Sequence, residues 1–223
     1  MDGKLLINAL TKYILGLMMT AALLFIPAGT LHFRNAWLLI LALFVPMFIA
    51  GLVMLFKAPE LLRRRLNARE KQTEQKGVIA WSGLLFVLCF VLAGLGFRFG
   101  WPALPNAVSR ISVFVFLAGY ALFALVLREN EYLSRTVKVD KGQRVVDTGL
   151  YGILRHPMYT ATLLMFLSMP LILASPFSCI IMLGYVPILV LRIRSEERLL
   201  EQELEGYLQY EQKIRYRLIP YIW

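Results

Sequence analysis

The sequence predicts an all-α, polytopic integral membrane protein of about six membrane segments, and three observations lead there. Of its 223 residues, 59% are hydrophobic, against roughly 45–50% in a soluble domain. The apolar residues gather into long blocks separated by short charged loops, the pattern of a single membrane domain spanning residues 1–223. The 24 Lys and Arg are shared unevenly: with the N-terminus inside, 21 fall on the cytoplasmic side and only Arg34, Arg98 and Arg110 outside. Basic loops resist translocation and face anionic lipid, so the net charge of +10 has a membrane explanation and no nucleic-acid partner is required.

In chain order, the first block runs from about Tyr13 to Leu31. Its positive start and apolar middle suggest a signal peptide, but no small-x-small cleavage site and soluble domain follow, so a retained span is expected. A polar turn at His32, Phe33, Arg34 and Asn35 leads to the second block, Ala36 to Phe56, whose Pro46 and Gly51 membrane helices tolerate. Residues 57–76 are strongly charged and read as the main cytoplasmic loop. Arg63, Arg64, Arg65, Arg69, Lys71 and Lys76 mix there with Glu60, Glu70 and Glu74, and Leu61, Leu62 and Leu66 give one apolar face, as in a helix lying against headgroups.

The third span runs from Val78 to about Phe97, with Trp81 and Trp101 near its ends as interfacial anchors. The glycines around Gly94 and Gly96 lack the third glycine of a nucleotide-binding loop and suit close helix packing instead. The fourth span is Ile111 to Leu127, and Ser134 to Asp147 reads as loop or extended chain. A helical hairpin, Met158 to Leu173 and Phe177 to Leu191, then precedes an interfacial helix with Leu200, Leu204, Tyr207, Leu208, Glu211 and Ile214 at helical spacing. Cys89 and Cys179 each sit in an apolar block; they are too few and too separated for a disulfide framework or a zinc site, and no metal is expected.

Polar and conformationally special residues concentrate in Val145 to Tyr159, VVDTGLYGILRHPMY. The hairpin brings this stretch to the same membrane edge as the adjacent acids Glu196 and Glu197. On a helix those acids point about 100° apart, so when one pairs with Arg192 or Arg194 the other is left to hold a cationic ligand.

The pattern G-x-Y-x-x-x-R-H-P-x-Y over Gly149 to Tyr159, the pair Glu196-Glu197, and the tail Tyr207-x-x-Tyr210 followed by Arg217-Leu-Ile-Pro220 resemble the isoprenylcysteine carboxyl methyltransferases and the related phospholipid N-methyltransferases. The resemblance covers about the last 90 residues; earlier spans resemble the family only in hydropathy. It implies a membrane enzyme without a Rossmann domain that binds S-adenosyl-L-methionine. Residues 1–130 would be a four-span scaffold, and 131–223 the portion that binds cofactor and acceptor. Carried onto this sequence, the cofactor site would comprise Gln143, Arg144, Val145, Val146, Tyr151, Arg155, His156 and Tyr159, with Glu196 or Glu197 meeting the ammonium. Arg192 and Arg217 would face the acceptor.

Chemistry then sorts the acceptors. A carboxylate is nucleophilic at neutral pH and needs only a guanidinium to orient it, whereas an amine needs a base, for which Glu211 or a tyrosine is available. The expectation is methyl transfer to a lipophilic carboxylate at the cytoplasmic interface, of the isoprenylcysteine type. Phospholipid or other amine N-methylation is the alternative within enzymes. A small transporter or scaffold is the alternative outside them, but it would place ionisable residues near mid-bilayer.

Overall fold

The computed structural model describes residues 3–66, 73–130, 132, 133, 139 and 142–223. Among them the chain is helical: α1 (Gly3–Ala28), α2 (Arg34–Lys57), α3 (Pro59–Leu66), α4 (Thr73–Arg98), α5 (Asn106–Glu129), a 3-10 turn at Gly149–Gly152, α6 (Pro157–Ile172), α7 (Pro176–Leu183), α8 (Tyr185–Glu203) and α9 (Tyr207–Lys213). No Rossmann fold is present among the described residues. Five helical stretches are long and apolar enough to cross a membrane, the last being Pro176–Glu203, while α6 is a shorter apolar helix.

The surface explains why these helices need lipid. Ile26, Phe56 and Phe114 are each at least 70% exposed, and large apolar side chains cover α1, α2, α4 and α5. A soluble protein rarely shows an apolar face of that extent; hydrocarbon solvates it without cost. Inside, Leu24, Leu39, Phe116, Ile172, Met182, Leu189 and Ile193 are almost completely buried and belong to one cluster. Helices approach closely where side chains are small. A Cβ on Gly94 would lie 2.6 Å from the Leu24 carbonyl oxygen, so this glycine lets α4 rest on α1. Around Pro46, the carbonyls of Leu43 and Phe44 accept from Tyr120 and Tyr13, each at 3.2 Å.

The expected spans are present but longer, since α1 starts at Gly3 and α5 reaches from Asn106 to Glu129. The hairpin differs in its second arm, which breaks at Gly184 and resumes as α8 to Glu203. Pro187 cannot donate to the carbonyl four residues before it, so a single unbroken helix loses a bond there. The expected interfacial helix after Arg198 is also corrected. Arg198 lies within α8, Gly206 turns left-handed (φ 84°), and only the short α9 follows, its Tyr207 and Tyr210 buried. In the charged loop, Leu62 is buried with Leu5 and Leu55 and Leu66 packs on them. Arg69, Glu70, Lys71 and Gln72 lie outside the described residues, as do 134–138, 140 and 141 of the expected loop from Ser134 to Asp147.

Candidate active site

The site is assembled where four segments meet at one end of the bundle: the end of α5, the stretch 142–156, the start of α6 with the end of α8, and the chain from Leu204 onward. Gly149 makes the first junction. Its φ is +56°, where a side chain is strained, and a Cβ would overlap the Glu129 carboxylate. That carboxylate accepts from the Leu150 N–H at 2.8 Å, pinning the 3-10 turn to the end of α5. The next residue of α5's end, Asn130, donates to the Tyr151 hydroxyl at 3.1 Å.

The second junction involves the chain's last residues. Arg155 and His156 donate their backbone N–H to the carbonyls of Tyr216 and Arg217 at 2.9 and 3.0 Å. Thr160 Oγ1 donates to the Leu218 carbonyl at 2.7 Å. Pro157 occupies the first turn of α6, where its missing N–H is no loss. The Tyr210 hydroxyl donates to the Tyr151 carbonyl at 2.8 Å, so the segments before and after the hairpin are laced together.

Glu197 is the electrostatic centre of this arrangement and is only 3% exposed. Its Oε1 meets His156 Nε2 at 3.1 Å and an Arg155 terminal nitrogen at 3.2 Å, and its Oε2 accepts from Arg217 Nε at 2.7 Å. Arg155 also pairs with Glu211, and Arg217 reaches Glu211 at 4.0 Å. Burial works against the Arg155 cation, but Glu211 and Glu197 outweigh it and hold its pKa above the ordinary value. Glu196 points elsewhere: it accepts from the Tyr159 hydroxyl, which itself accepts from Arg192 Nε at 2.9 Å.

Beside this cluster lies a cavity. Its walls carry Gln143, Arg144, Val145, Val146, Tyr151, Arg155, His156, Tyr159, Glu196 and Arg192, which the sequence had singled out. Glu197, Glu211 and Arg217 are not on the walls; they stand behind Arg155 and His156. Asn130, Tyr132, Leu133, Met158, Leu200, Leu204, Tyr207 and Tyr210 complete the lining. Of these, Tyr207 and Tyr210 had a signal in the sequence as part of the tail pattern, and Leu200 and Leu204 only as apolar positions at helical spacing. Among the described residues, two buried polar atoms on the lining have no hydrogen-bond partner, Arg155 Nε and the Tyr207 hydroxyl. Burial, with Glu197 nearby, pushes the Tyr207 phenol well above its usual range, so the hydroxyl stays protonated and can donate.

Residues 111–202 match the isoprenylcysteine carboxyl methyltransferase family. The match contains the Gly149–Tyr159 stretch and both acids, so the resemblance read in the sequence is borne out over residues 111–202. It leaves the tail from Leu204 outside. No curated protein matches the chain. The family implies a membrane methyltransferase, in agreement with the five apolar helices.

Proposed function

We propose that the protein methylates a lipophilic carboxylate at the cytoplasmic membrane surface, using S-adenosyl-L-methionine held in the cavity beside Glu197. The observation that carries this reading is the pairing of two buried donors without a partner among the described residues, Arg155 Nε and the Tyr207 hydroxyl, with the Glu196 carboxylate on one cavity lining. Buried polar atoms of this kind call for a ligand. An amino-acid end group answers both needs, its carboxylate taking the donors and its ammonium meeting Glu196. The faces of Tyr151, Tyr207 and Tyr210 suit the positively charged remainder. When bound, the cofactor would supply an electrophilic methyl group carried on a sulfonium.

The chain's own residues do the rest by positioning and by excluding water. Arg192, braced by Tyr159, brings a planar fork to the cavity wall, suited to orienting an acceptor carboxylate. Glu197, Glu211 and Arg217 act from behind as positioning residues, fixing Arg155 and His156. A carboxylate requires no proton transfer. An amine requires a base, and here Glu211 is engaged by Arg155 while Tyr207 is held protonated, which favours the carboxylate reading. The cytoplasmic placement rests on the basic asymmetry. A transporter role finds no comparable support.

The test is incubation of the purified protein with methyl-labelled cofactor and a membrane lipid extract. The expected product gains one methyl that mild alkali releases, as it does from an ester. An alkali-stable methyl on an amine headgroup would replace the carboxylate reading with the amine one.

A further inference from the structure

A second cavity, of about 480 Å³, opens at the opposite end of the bundle from Glu197. It lies among the starts of α2, α5 and α7. Its floor is apolar and buried, with Phe33 and Leu173 each 3% exposed and Ala93 2%, while His32, Arg34 and Asn106 form an exposed polar rim. The shape follows from helix length. The 16 residues of α6 rise about 24 Å and the 24 of α5 about 36 Å, so the hairpin tip stops below its neighbours. The Leu104 N–H bonds the Ala174 carbonyl at 2.9 Å and draws the 99–105 loop onto the tip. Aromatic pairs brace the walls: Trp101 on Phe177 at 5.2 Å and Phe33 on Phe97 at 4.5 Å.

The charge at this end is one-sided. The acids among the described residues lie in segments at the Glu197 end of the bundle, so among these residues Arg34, Arg98 and Arg110 have no carboxylate on their own side. The first turns of α2 and α5 add to the positive field, since Phe33 and Pro105 give neither a capping side chain. An anion for this rim therefore comes from outside the chain. The apolar floor selects an amphiphile over a soluble ion, and Phe97 (44% exposed), Phe99 (63%) and Trp101 (37%) mark the level as the lipid interface.

We propose that this cavity binds an anionic phospholipid of the leaflet opposite the active site. Arg34, His32 and Asn106 hold the headgroup phosphate, and the glycerol and first acyl carbons rest on Phe33, Ala93 and Leu173. The lipid bridges three helix starts and steadies the hairpin whose other end carries the site.

The experiment reconstitutes the full chain with equal phosphatidylglycerol and phosphatidylcholine, re-extracts it in mild detergent, and measures the retained lipids by mass spectrometry. Wild type should retain phosphatidylglycerol in preference by roughly tenfold, the scale of a charge-assisted hydrogen bond to a guanidinium. Arg34→Gln and Asn106→Leu, both at exposed positions, should bring the ratio towards one, and Arg110→Gln, off the rim, should keep it. No preference in wild type overturns the proposal. An equal loss in Arg110→Gln overturns it in favour of diffuse surface charge, and displacement of the lipid by millimolar inorganic phosphate overturns it in favour of a soluble anion.

Discussion

Arg217 Nε donates to Glu197 Oε2 at 2.7 Å, and this single bond ties the last residues of the chain to the end of α8. Glu197 faces Arg155 and His156 through its other oxygen, so removing its charge leaves cations without their partner in a buried place. Breaking such a cluster from one side costs roughly 3–5 kcal/mol. Because the Arg217 side chain is 30% exposed, Glu197→Gln should fall nearer about 2–3 kcal/mol. Denaturant unfolding in detergent measures it, and an unchanged midpoint would show that the cluster contributes nothing to stability.

At Gly149 the backbone is left-handed and the Glu129 carboxylate fills the space of a side chain. Gly149→Ala adds about 1–2 kcal/mol of strain and pushes the 3-10 turn, with Tyr151, off its anchor. Cofactor affinity should fall roughly tenfold, about 1.4 kcal/mol. Glu129→Gln keeps an oxygen for the Leu150 N–H and should stay within about threefold. Calorimetric titration of both variants decides; equal effects would mean that the anchor does not shape the site.

How much of this was legible in the sequence depended on the range of the cause. The spans come from local hydropathy, so α1, α2, α4, α5 and the hairpin could be read directly. The break at Gly184 also had a local signal, Pro187, and was missed because the apolar run continues through it. The division of labour between Glu196 and Glu197 was not legible, because it depends on how α8 rotates against α6. Nor was the Glu129–Leu150 bond, whose partners are distant in sequence and carry no pattern. Arg217 was expected to face an acceptor, yet its Nε turns to Glu197, a choice made by the fold of the tail.

The two arginines therefore separate experimentally. Arg192 lies on the cavity wall and Arg217 behind it. Arg192→Lys keeps the charge but loses the fork, and should lower turnover by roughly tenfold or more while cofactor affinity holds. Arg217→Lys should lower stability and cofactor affinity together. Turnover of Arg192→Lys within about twofold of wild type, roughly 0.4 kcal/mol in barrier, would remove Arg192 from acceptor binding.

The proposed orientation rests on the basic asymmetry of the sequence, which with the N-terminus inside puts 21 of 24 Lys and Arg on the cytoplasmic side. A cysteine introduced by Gln72→Cys, in a Cys89→Ala, Cys179→Ala background, should react with a membrane-impermeant reagent only after the cells are opened. Labelling of intact cells would reverse the topology and put the site on the outer face.

The most direct test of the central claim is Tyr207→Phe, which deletes one buried hydroxyl that lacks a partner among the described residues and changes little else. A buried unsatisfied polar group costs about 1–3 kcal/mol, so without cofactor the variant should be as stable as wild type or more so. In calorimetric titration its affinity for S-adenosyl-L-methionine should nevertheless drop roughly five- to tenfold, about 1–1.4 kcal/mol. Unchanged affinity in a folded, equally stable variant would contradict the account, because the hydroxyl would then not face the cofactor.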